Sequence, residues 1–254
     1  MKRGESPFFI GYLPAPKRLA GFLMVCILSL LAGFLGAGLV TGAAQDDPGD
    51  GDFRFDLGRQ AVTGRVELKP YPLIRVTAGN EHIAAGRTLM LTGQGKRGVL
   101  ERATALDGRL ATVSGVLLRR GDLDMLQVAG GADGLAAAEG AAPPVDIRQP
   151  LGRWRIAGEI CDGKCLAGAM RPGRGIAHRA CANLCLIGGV PPVFVSAAPV
   201  AGHSFFLVAG PDGGPMPDAL LAHVGAYVLL EGEIELAGDL PVLRVDPATL
   251  ELAP

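Results

Sequence analysis

The sequence has few aromatic residues and almost no net charge, and each shortage argues against a class of function. Aromatic residues make up 5% of the 254 residues, so a platform that stacks bases or sugars would have to be built from very few side chains. The formal net charge is -1, whereas proteins that bind nucleic acid through phosphate contacts carry an excess of positive charge. We therefore expect no nucleic-acid partner.

Cysteine is also scarce, and its distribution is uneven. The chain has five cysteines, and four of them fall within residues 161–185. Glycine and proline are abundant instead, with 38 and 19 residues, and they separate short apolar runs rather than forming a low-complexity block. This pattern is typical of many short strands and turns, so the expected fold class is all-β.

One apolar run is long enough to cross a membrane. Residues 19–44 carry no charge, and at about 1.5 Å per residue this stretch exceeds a hydrocarbon core of ~30 Å. Lys17 and Arg18 precede the run, and an aspartate-rich stretch follows it. Because basic residues stay on the cytoplasmic side, the pattern predicts a single-pass anchor in a bacterial inner membrane. Residues 1–18 would then be cytoplasmic, and the bulk of the chain would be periplasmic.

A cleaved signal peptide is the alternative, because Thr41–Ala44 resemble a small-residue cleavage site. The apolar run is longer than the roughly 7–15 residues of a signal-peptide core, which favours an uncleaved anchor. We expect the stretch SPFFIGYLPAP (6–16) to lie at the membrane interface or to contact a partner. Residues 45–58 are predicted to form an acidic spacer after the membrane.

The remaining sequence contains an internal repeat. The matching segments are 61–66 with 155–160, 70–76 with 190–196, 87–98 with 203–214, and 106–128 with 223–245. In the last pair the offset is a constant 117 residues, and Gly115 matches Gly232. Similarity over so long a stretch at one offset indicates a duplication.

Each copy has the pattern of three strands, a short helix or turn, and a final hairpin with Gly-Asp at its turn. Five short strands with a helix between the third and the fourth resemble the OB-fold barrel in their order. The expected fold is an N-terminal transmembrane helix followed by two tandem OB-fold-like barrels, at 59–130 and 153–254. A flexible Gly/Ala/Pro-rich linker at 131–152 would join them. Two small barrels of another topology are the alternative.

The second copy contains a segment that the first copy lacks. Gly64 and Pro72 are 8 residues apart in the first copy, whereas the matching Gly158 and Pro192 are 34 residues apart. The excess predicts a cysteine-rich insertion at 161–187, between the first two strands of the second barrel. In OB-like barrels this loop borders the ligand-binding face, so we expect the insertion to be displayed there as an added flap.

The cysteines of this insertion form two Cys-x-x-x-Cys pairs, Cys161 with Cys165 and Cys181 with Cys185. Such spacing puts both sulfurs of a pair on one face of a helix, and the stretch AMRPGRG (169–175) would break the chain between two helical turns. Folded as an antiparallel hairpin, the segment would nest its disulfides, with Cys161 bonded to Cys185 and Cys165 to Cys181. The spacing is similar to that of the twin Cys-x-x-x-Cys helical hairpins in small intermembrane-space chaperones.

A metal or redox site is the alternative for the same segment. Three further side chains that could bind a metal lie among the four thiols: His178, Met170 and Asp162. Four sulfurs, or three sulfurs with His178, would suit zinc or an iron–sulfur centre, and Cys, Met and His together suit copper(I). The segment also carries basic residues that would either lower thiol pKa values or form a solvated surface: Lys164, Arg171, Arg174 and Arg179.

No Ser-His-Asp order is evident, and no base with an orienting partner stands beside any cysteine, so a thiol-dependent enzyme is the least favoured function. The sequence predicts a membrane-anchored periplasmic accessory or binding protein with a disulfide-stapled loop, which serves a membrane or periplasmic complex through a protein partner. The second hypothesis is a metal-binding or electron-transfer protein that uses the four thiols and His178.

Overall fold

The structure is a computed structural model that describes residues 17–44, 51–144 and 148–253. The chain separates into two compact units, residues 1–47 and 48–254. The first unit contains helix α1, and the second contains every strand of the described residues. The stretch at 6–16 that we expect at the membrane interface lies outside the described residues.

Helix α1 (Ala20–Ala44) coincides with the predicted membrane segment. The stretch Lys17–Ala43 is 27 residues long, and its most apolar 18-residue window has a mean hydropathy of 2.5 and is not buried inside the protein. At about 1.5 Å per residue, this length is enough to cross a hydrocarbon core of ~30 Å. The protein therefore has one N-terminal helix, among the described residues, that qualifies as a membrane anchor.

The second unit is mostly β-structure, arranged in two sheets. The strands of the first sheet are β1 (Asp52–Phe53), β2 (Gln60–Glu67), β3 (Leu73–Ala78), β4 (Thr88–Thr92), β5 (Leu110–Arg120), β6 (Leu123–Val128) and β7 (Leu135–Ala137). The strands of the second sheet are β8 (Arg148–Asp162), β9 (Pro192–Val200), β10 (His203–Ala209), β11 (Tyr227–Ala237) and β12 (Leu240–Leu252). Two short helices, α2 (Leu100–Ala103) and α3 (Arg179–Ile187), lie between strands.

Both sheets share one order of strand pairing. In the second sheet, β8, β9, β10, β12 and β11 form a closed barrel, in which β10 and β12 run parallel and the other pairs are antiparallel. In the first sheet, β2, β3, β4, β6 and β5 pair in the same order, with β4 and β6 parallel. Strand β5 pairs with both β6 and β2, so the pairings of these five strands form a closed ring. Strands β1 and β7 add to β5.

The connections between strands repeat as well. Helical turns occupy residues 100–106 in the first sheet and Asp218–His223 in the second, where the sequence predicted a short helix or turn. The last hairpin of each sheet turns at Gly121 and Gly238, with φ angles of 56° and 67°. Two-residue hairpin turns require this left-handed region, which glycine adopts without steric cost.

The internal repeat is also visible in the register of the strands. Gly115 lies opposite Val128 in the first sheet, and Gly232 lies opposite Val245 in the second. Each residue of the second pair is displaced from its counterpart by the same 117 residues that separate the matching sequence segments. The two final hairpins are therefore equivalent residue by residue.

One segment of the sequence match is wrong by one residue. The match pairs Leu91 with Leu207, but the structure makes Met90 and Leu207 equivalent, because Met90 lies opposite Leu73 and Leu207 lies opposite Val193. Strands β4 and β10 are buried at consecutive positions, on both faces. A hydrophobic pattern without alternation does not fix the register of a strand.

Each sheet has its own apolar core, and a third apolar cluster lies between the sheets. Leu91 and Leu117 belong to the core of the first sheet, and Phe194 and Leu230 to that of the second. The buried members of the third cluster, which we call the shared cluster, are Leu73, Met90, Leu118, Leu123, Met125, Cys161, Leu166, Ala167, Val193, Val195, Phe205, Leu207, Ala209, Ala237, Leu240 and Val242. Because both sheets contribute side chains to it, residues 48–254 form one compact unit.

The segments predicted as a spacer and a linker are partly built into the sheets. Within the spacer 45–58, Asp52 and Phe53 pair with β5. Within the linker 131–152, β7 also pairs with β5, and β8 already begins at Arg148. Backbone hydrogen bonds therefore hold part of each segment on the first sheet, at 52–54 and 135–138.

Candidate functional site

The cysteine-rich insertion begins later than predicted, because β8 continues through the first two of its residues. Cys161 and Asp162 still pair with β9 in the antiparallel ladder. Cys165 begins a π-helical turn (Cys165–Ala169). The first Cys-x-x-x-Cys pair therefore does not lie on one helical turn, since its first member is a strand residue.

The second Cys-x-x-x-Cys pair has the predicted helical geometry. Cys181 and Cys185 lie one turn apart on α3, which directly follows the 3-10 turn Ile176–His178. From the same helix, Ala182 and Leu186 pack into the core of the second sheet. This packing fixes α3 on the second sheet while its two cysteines face other partners.

Two overlapping groups of possible metal ligands lie within the insertion. The ligand atoms of Cys165, His178 and Cys181 all lie within 4.8 Å of one another. A second group of the same size joins Cys165 with Cys185 and a carboxylate oxygen of Asp162. Cys165 belongs to both groups. We call these five residues the thiol centre.

Asp162 holds the thiol centre together from a fully buried position. Its Oδ1 accepts a hydrogen bond from the backbone nitrogen of Cys165 at 2.8 Å, and its Oδ2 lies 3.0 Å from Nε2 of His178. Since Nε2 is engaged by the carboxylate, Nδ1 is the ring nitrogen left for a metal or a proton. Metal-binding histidines are commonly oriented by a carboxylate in this way.

The sequence argument found no base beside any cysteine, and the structure corrects that point. His178, oriented by Asp162, lies close to the sulfurs of Cys165 and Cys181. Asp162 and His178 are 16 residues apart in the chain, and only the fold of the insertion brings them together. A thiol beside an oriented imidazole is the arrangement that nucleophilic cysteines use.

Two lysines connect the thiol centre to the first sheet. Lys96, from the loop after β4, places its Nζ 2.6 Å from Sγ of Cys181. In the opposite direction, the buried Lys164 donates to the carbonyl oxygens of Gly93 and Gly95, both at 2.7 Å. The sequence analysis missed Lys96, which stands 85 residues from the cysteine that it contacts.

Hydrogen bonding and nearby charge shift the pKa values of Cys165 and Cys185 in opposite directions. Cys165 donates a hydrogen bond to Cys185, and this raises the pKa of Cys165 and lowers the pKa of Cys185. Burial and the carboxylate of Asp162 further raise the pKa of Cys165, and the ammonium of Lys96 helps to lower the pKa of Cys185. Burial lowers the pKa of Lys164. Cys185 is therefore the better carrier of negative charge in this pair.

Cys161 lies outside the thiol centre. Successive residues of a strand point to opposite faces, and Asp162 faces the centre. Cys161 accordingly faces the shared cluster, where its thiol donates to Oε1 of Glu159 at 3.0 Å. Burial, together with the charge of Glu159, raises the pKa of Cys161 well above its usual value. All cysteines of the described residues are free thiols, and the predicted disulfides stay a prediction.

The other predicted site residues do not join the thiol centre. Met170 is 45% exposed and belongs to neither group of ligand atoms. Arg171 pairs with Asp52 of β1 at 3.5 Å, and Arg179 donates to a backbone carbonyl just before β11 at 2.7 Å. Arg174 is exposed beside a cavity of about 440 Å³ on the second sheet. Arg171 therefore contacts the first sheet, and Arg179 contacts the turn before β11 of the second sheet.

The insertion is packed against the first sheet, which corrects the expectation of an exposed flap. Lys164, Leu166 and Ala167 are almost fully buried, and the π-helical turn contacts β1, β5 and β6. Leu166 and Ala167 are apolar and enter the shared cluster, so burial of the insertion follows from its own residues. The exposed parts are most of the loop 170–177 and the outer side of α3, where Leu184 and Ile187 are 57% and 71% exposed.

The contact between the first sheet and the end of α3 depends on glycine. The backbone nitrogen of Gly98 donates to the carbonyl oxygen of Gly188 at 2.7 Å. A Cβ added at Gly98 would lie 2.1 Å from the carbonyl oxygen of Gly189, and one added at Gly188 would lie 1.9 Å from that of Lys96. Neither position has room for a side chain.

The substitution Gly98→Ala should therefore push the loop that carries Lys96 away from α3. We expect the free energy of unfolding to fall by about 1–3 kcal/mol, the usual cost of overpacking, as measured by urea denaturation of the full chain. The matched control is Gly130→Ala, where an added Cβ would meet a flexible glutamine side chain at 3.7 Å. That control should change stability by less than about 0.5 kcal/mol. Equal losses of stability in the two variants would contradict the close contact between the backbones at Gly98 and Gly189.

Comparisons with known proteins do not add to this geometry. No protein-family model matches the sequence, and neither the curated proteins nor the solved structures contain a significant match. The arguments about function therefore rest on the thiol centre and its surroundings.

Proposed function

We propose that this chain is a membrane-anchored, extracytoplasmic accessory protein that binds a zinc ion at the thiol centre. The ligands would be Cys165, Cys181, Cys185 and His178. The observation that carries the proposal is that Cys165 lies within 4.8 Å of the ligand atoms of His178 and Cys181 in one group, and within the same distance of Cys185 in a second group. Three cysteines and one histidine are one of the usual ligand sets of structural zinc.

The surroundings of the ligands support zinc as well. Asp162 would orient His178 in the manner of the carboxylate–histidine–metal arrangement. Three thiolates, a neutral imidazole and Zn²⁺ carry one net negative charge, which the ammonium of Lys96 beside Cys181 would offset. The ion would join the π-helical turn to α3 and so brace the insertion against the first sheet.

Zinc fits the ligand set better than the other metals that the sequence suggested. An iron–sulfur cluster held by four cysteines would need Cys161, whose side chain faces the shared cluster. A copper(I) site of mixed soft ligands would use Met170, which stands outside both groups of ligand atoms. Zinc requires neither of these two residues.

The fold and the location belong to the same proposal. We infer that each sheet is an OB-like barrel, because the shared strand order has its one parallel pair between the third and fifth strands. The basic residues before α1 and the acidic ones after it support a periplasmic bulk. The exposed Leu184 and Ile187 on α3, with the nearby Leu100, support contact with a protein partner in a membrane or periplasmic complex.

Metal analysis of the full chain tests the proposal. The chain is purified in detergent under reducing conditions and loaded with metal, and its zinc and copper contents are then measured. We expect about one zinc ion per chain. We also expect zinc loading to raise the midpoint of thermal unfolding, because the ion binds the folded state. A chain that retains no zinc after loading, or copper only, would contradict the proposal.

A further inference from the structure

Cys165 has two sulfur neighbours, which gives the thiol centre a chemistry beyond metal binding. Its sulfur lies within 4.8 Å of the sulfur of Cys181 and also of that of Cys185. Because the sulfurs of a disulfide are about 2 Å apart, a relative shift of about 3 Å or less would join Cys165 to either neighbour. The centre therefore contains two thiols that can form a disulfide bond.

The sulfurs of the centre differ in their access to solvent. Cys165 and Cys185 are 5% and 2% exposed, whereas Cys181 is partly exposed on α3. The exposed Lys96 places its ammonium 2.6 Å from the sulfur of Cys181. A reactant from solvent therefore meets Cys181 first, with Cys165 directly behind it.

The surface beside this entrance favours an anion. Arg97, which follows Lys96 in the chain, lines a cavity of about 500 Å³ together with Arg102, Glu101 and Ile187. Two arginines and one glutamate give the cavity lining a positive balance, and a cavity of this size suits a small molecule. Lys96 adds a positive charge at Cys181 itself.

We propose that Cys181 and Cys165 carry out disulfide exchange with an anionic disulfide of low molecular mass, and that this reaction releases the zinc ion from the thiol centre. The thiolate of Cys181 attacks one sulfur of the incoming disulfide, whose S–S bond breaks and releases one half as a thiolate. The sulfur of Cys165, which in the metal-free chain gives its proton to water, then attacks Cys181 Sγ and displaces the second half as a thiolate. Two electrons pass from the two cysteine sulfurs to the external disulfide, which leaves as two thiolates that take up protons from water.

The release of metal rests on the proposed zinc function, whereas the exchange does not. Closing the Cys165–Cys181 bond removes two of the four ligands, and Cys185 and His178 alone do not complete a structural zinc site. The zinc ion therefore dissociates as Zn²⁺ when the bond forms. The thiol centre would therefore release its zinc ion when the small thiols around the protein are oxidised to disulfides.

Oxidised glutathione, a disulfide with carboxylates on both halves, is the probe for the first experiment. The reduced, zinc-loaded full chain is mixed with it, and released zinc is followed with a chromogenic chelator. We expect zinc release to proceed together with formation of the Cys165–Cys181 bond. Trypsin cuts after Lys164 and Arg179, which places Cys165 and Cys181 on different peptides for mass spectrometry. The control variant Cys161→Ala should release zinc as the unaltered chain does.

The charge at the entrance is tested by comparing oxidised glutathione with cystamine, a cationic disulfide. We expect Lys96→Gln to slow the reaction with oxidised glutathione about fivefold relative to that with cystamine, the effect of one unit charge at about 4 Å in water. Lys69→Gln removes another exposed lysine, in the turn between β2 and β3, and should leave this ratio unchanged. An unchanged ratio in Lys96→Gln would overturn the preference for anions.

Other outcomes separate this inference from the proposed function. A chain that binds no zinc but still forms the Cys165–Cys181 bond would remove the metal function and leave the exchange in place. A chain that binds zinc and keeps it in oxidised glutathione would overturn the exchange and leave the metal function in place. A bond between Cys165 and Cys185, found by fragmenting the tryptic peptides, would overturn the assignment of Cys181 as the entrance.

Discussion

Replacing Cys165 by serine should reduce the zinc content of the purified chain from about one ion to nearly none. Cys165 is the thiol that belongs to both groups of ligand atoms, so its loss separates Cys181 and His178 from Cys185. Serine keeps the size of the side chain but is a poor ligand for a site made of thiolates. The measurement is the metal content of the loaded chain, with affinity determined by competition against a chelator.

A stability measurement gives the same prediction a second readout. Zinc at 100 times its dissociation constant should stabilise the unaltered chain by about 2.7 kcal/mol, and Cys165→Ser should abolish this increment. Cys161→Ala is the matched control, because it removes an equally buried thiol from outside the centre and should retain both the zinc and the increment. If the two variants lost zinc equally, Cys165 would have no special place in the site.

The five-strand order could be predicted because its signals are local. The Gly-Asp turns at Gly121 and Gly238, and the helical turns before the fourth strand of each sheet, lie within short stretches that specify their own conformation. Because the same pattern occurs twice, the assignment of strands in one copy supports the same assignment in the other. The one-residue error at Met90 and Leu207 arose where the strands have no polar face to set their register.

The contact between the two sheets could not be predicted in detail, although its signal is in the sequence. A barrel strand with one face in water alternates between apolar and polar residues. The run Leu89–Leu91 is apolar throughout, and in the structure Leu89 and Leu91 enter the first core while Met90 enters the shared cluster. Such runs predict that both faces are buried, but they do not identify what covers the second face.

The thiol centre was predictable in its residue types and not in its arrangement. Spacing alone placed Cys181 and Cys185 on one helical face, since four residues make one turn. The same spacing failed for Cys161, because the hydrogen bonds of β8 to its neighbours extend the strand past that residue. Lys96 contributes through a long-range contact, for which a single sequence carries no local signal.

The shared cluster implies that the two sheets unfold together, and Leu118→Ala tests this with a large expected effect. Leu118 is fully buried, lies on β5 of the first sheet and packs into the shared cluster. Removing so much of a buried leucine should lower the free energy of unfolding by about 2–5 kcal/mol. If the sheets are coupled, this loss must also appear in the unfolding of the second sheet.

The chain's one tryptophan, Trp154 in β8, reports on the second sheet, so its fluorescence during urea denaturation makes the measurement. We expect Leu118→Ala to lower the urea midpoint seen by Trp154 as much as the midpoint seen by far-ultraviolet circular dichroism. Leu100→Ala, which shortens a leucine that is 51% exposed on α2, should move neither midpoint appreciably. A Trp154 transition that stays in place while the dichroism signal falls earlier would mean that the sheets unfold independently, because a loss confined to the first sheet cannot reach a second sheet that is stable without it.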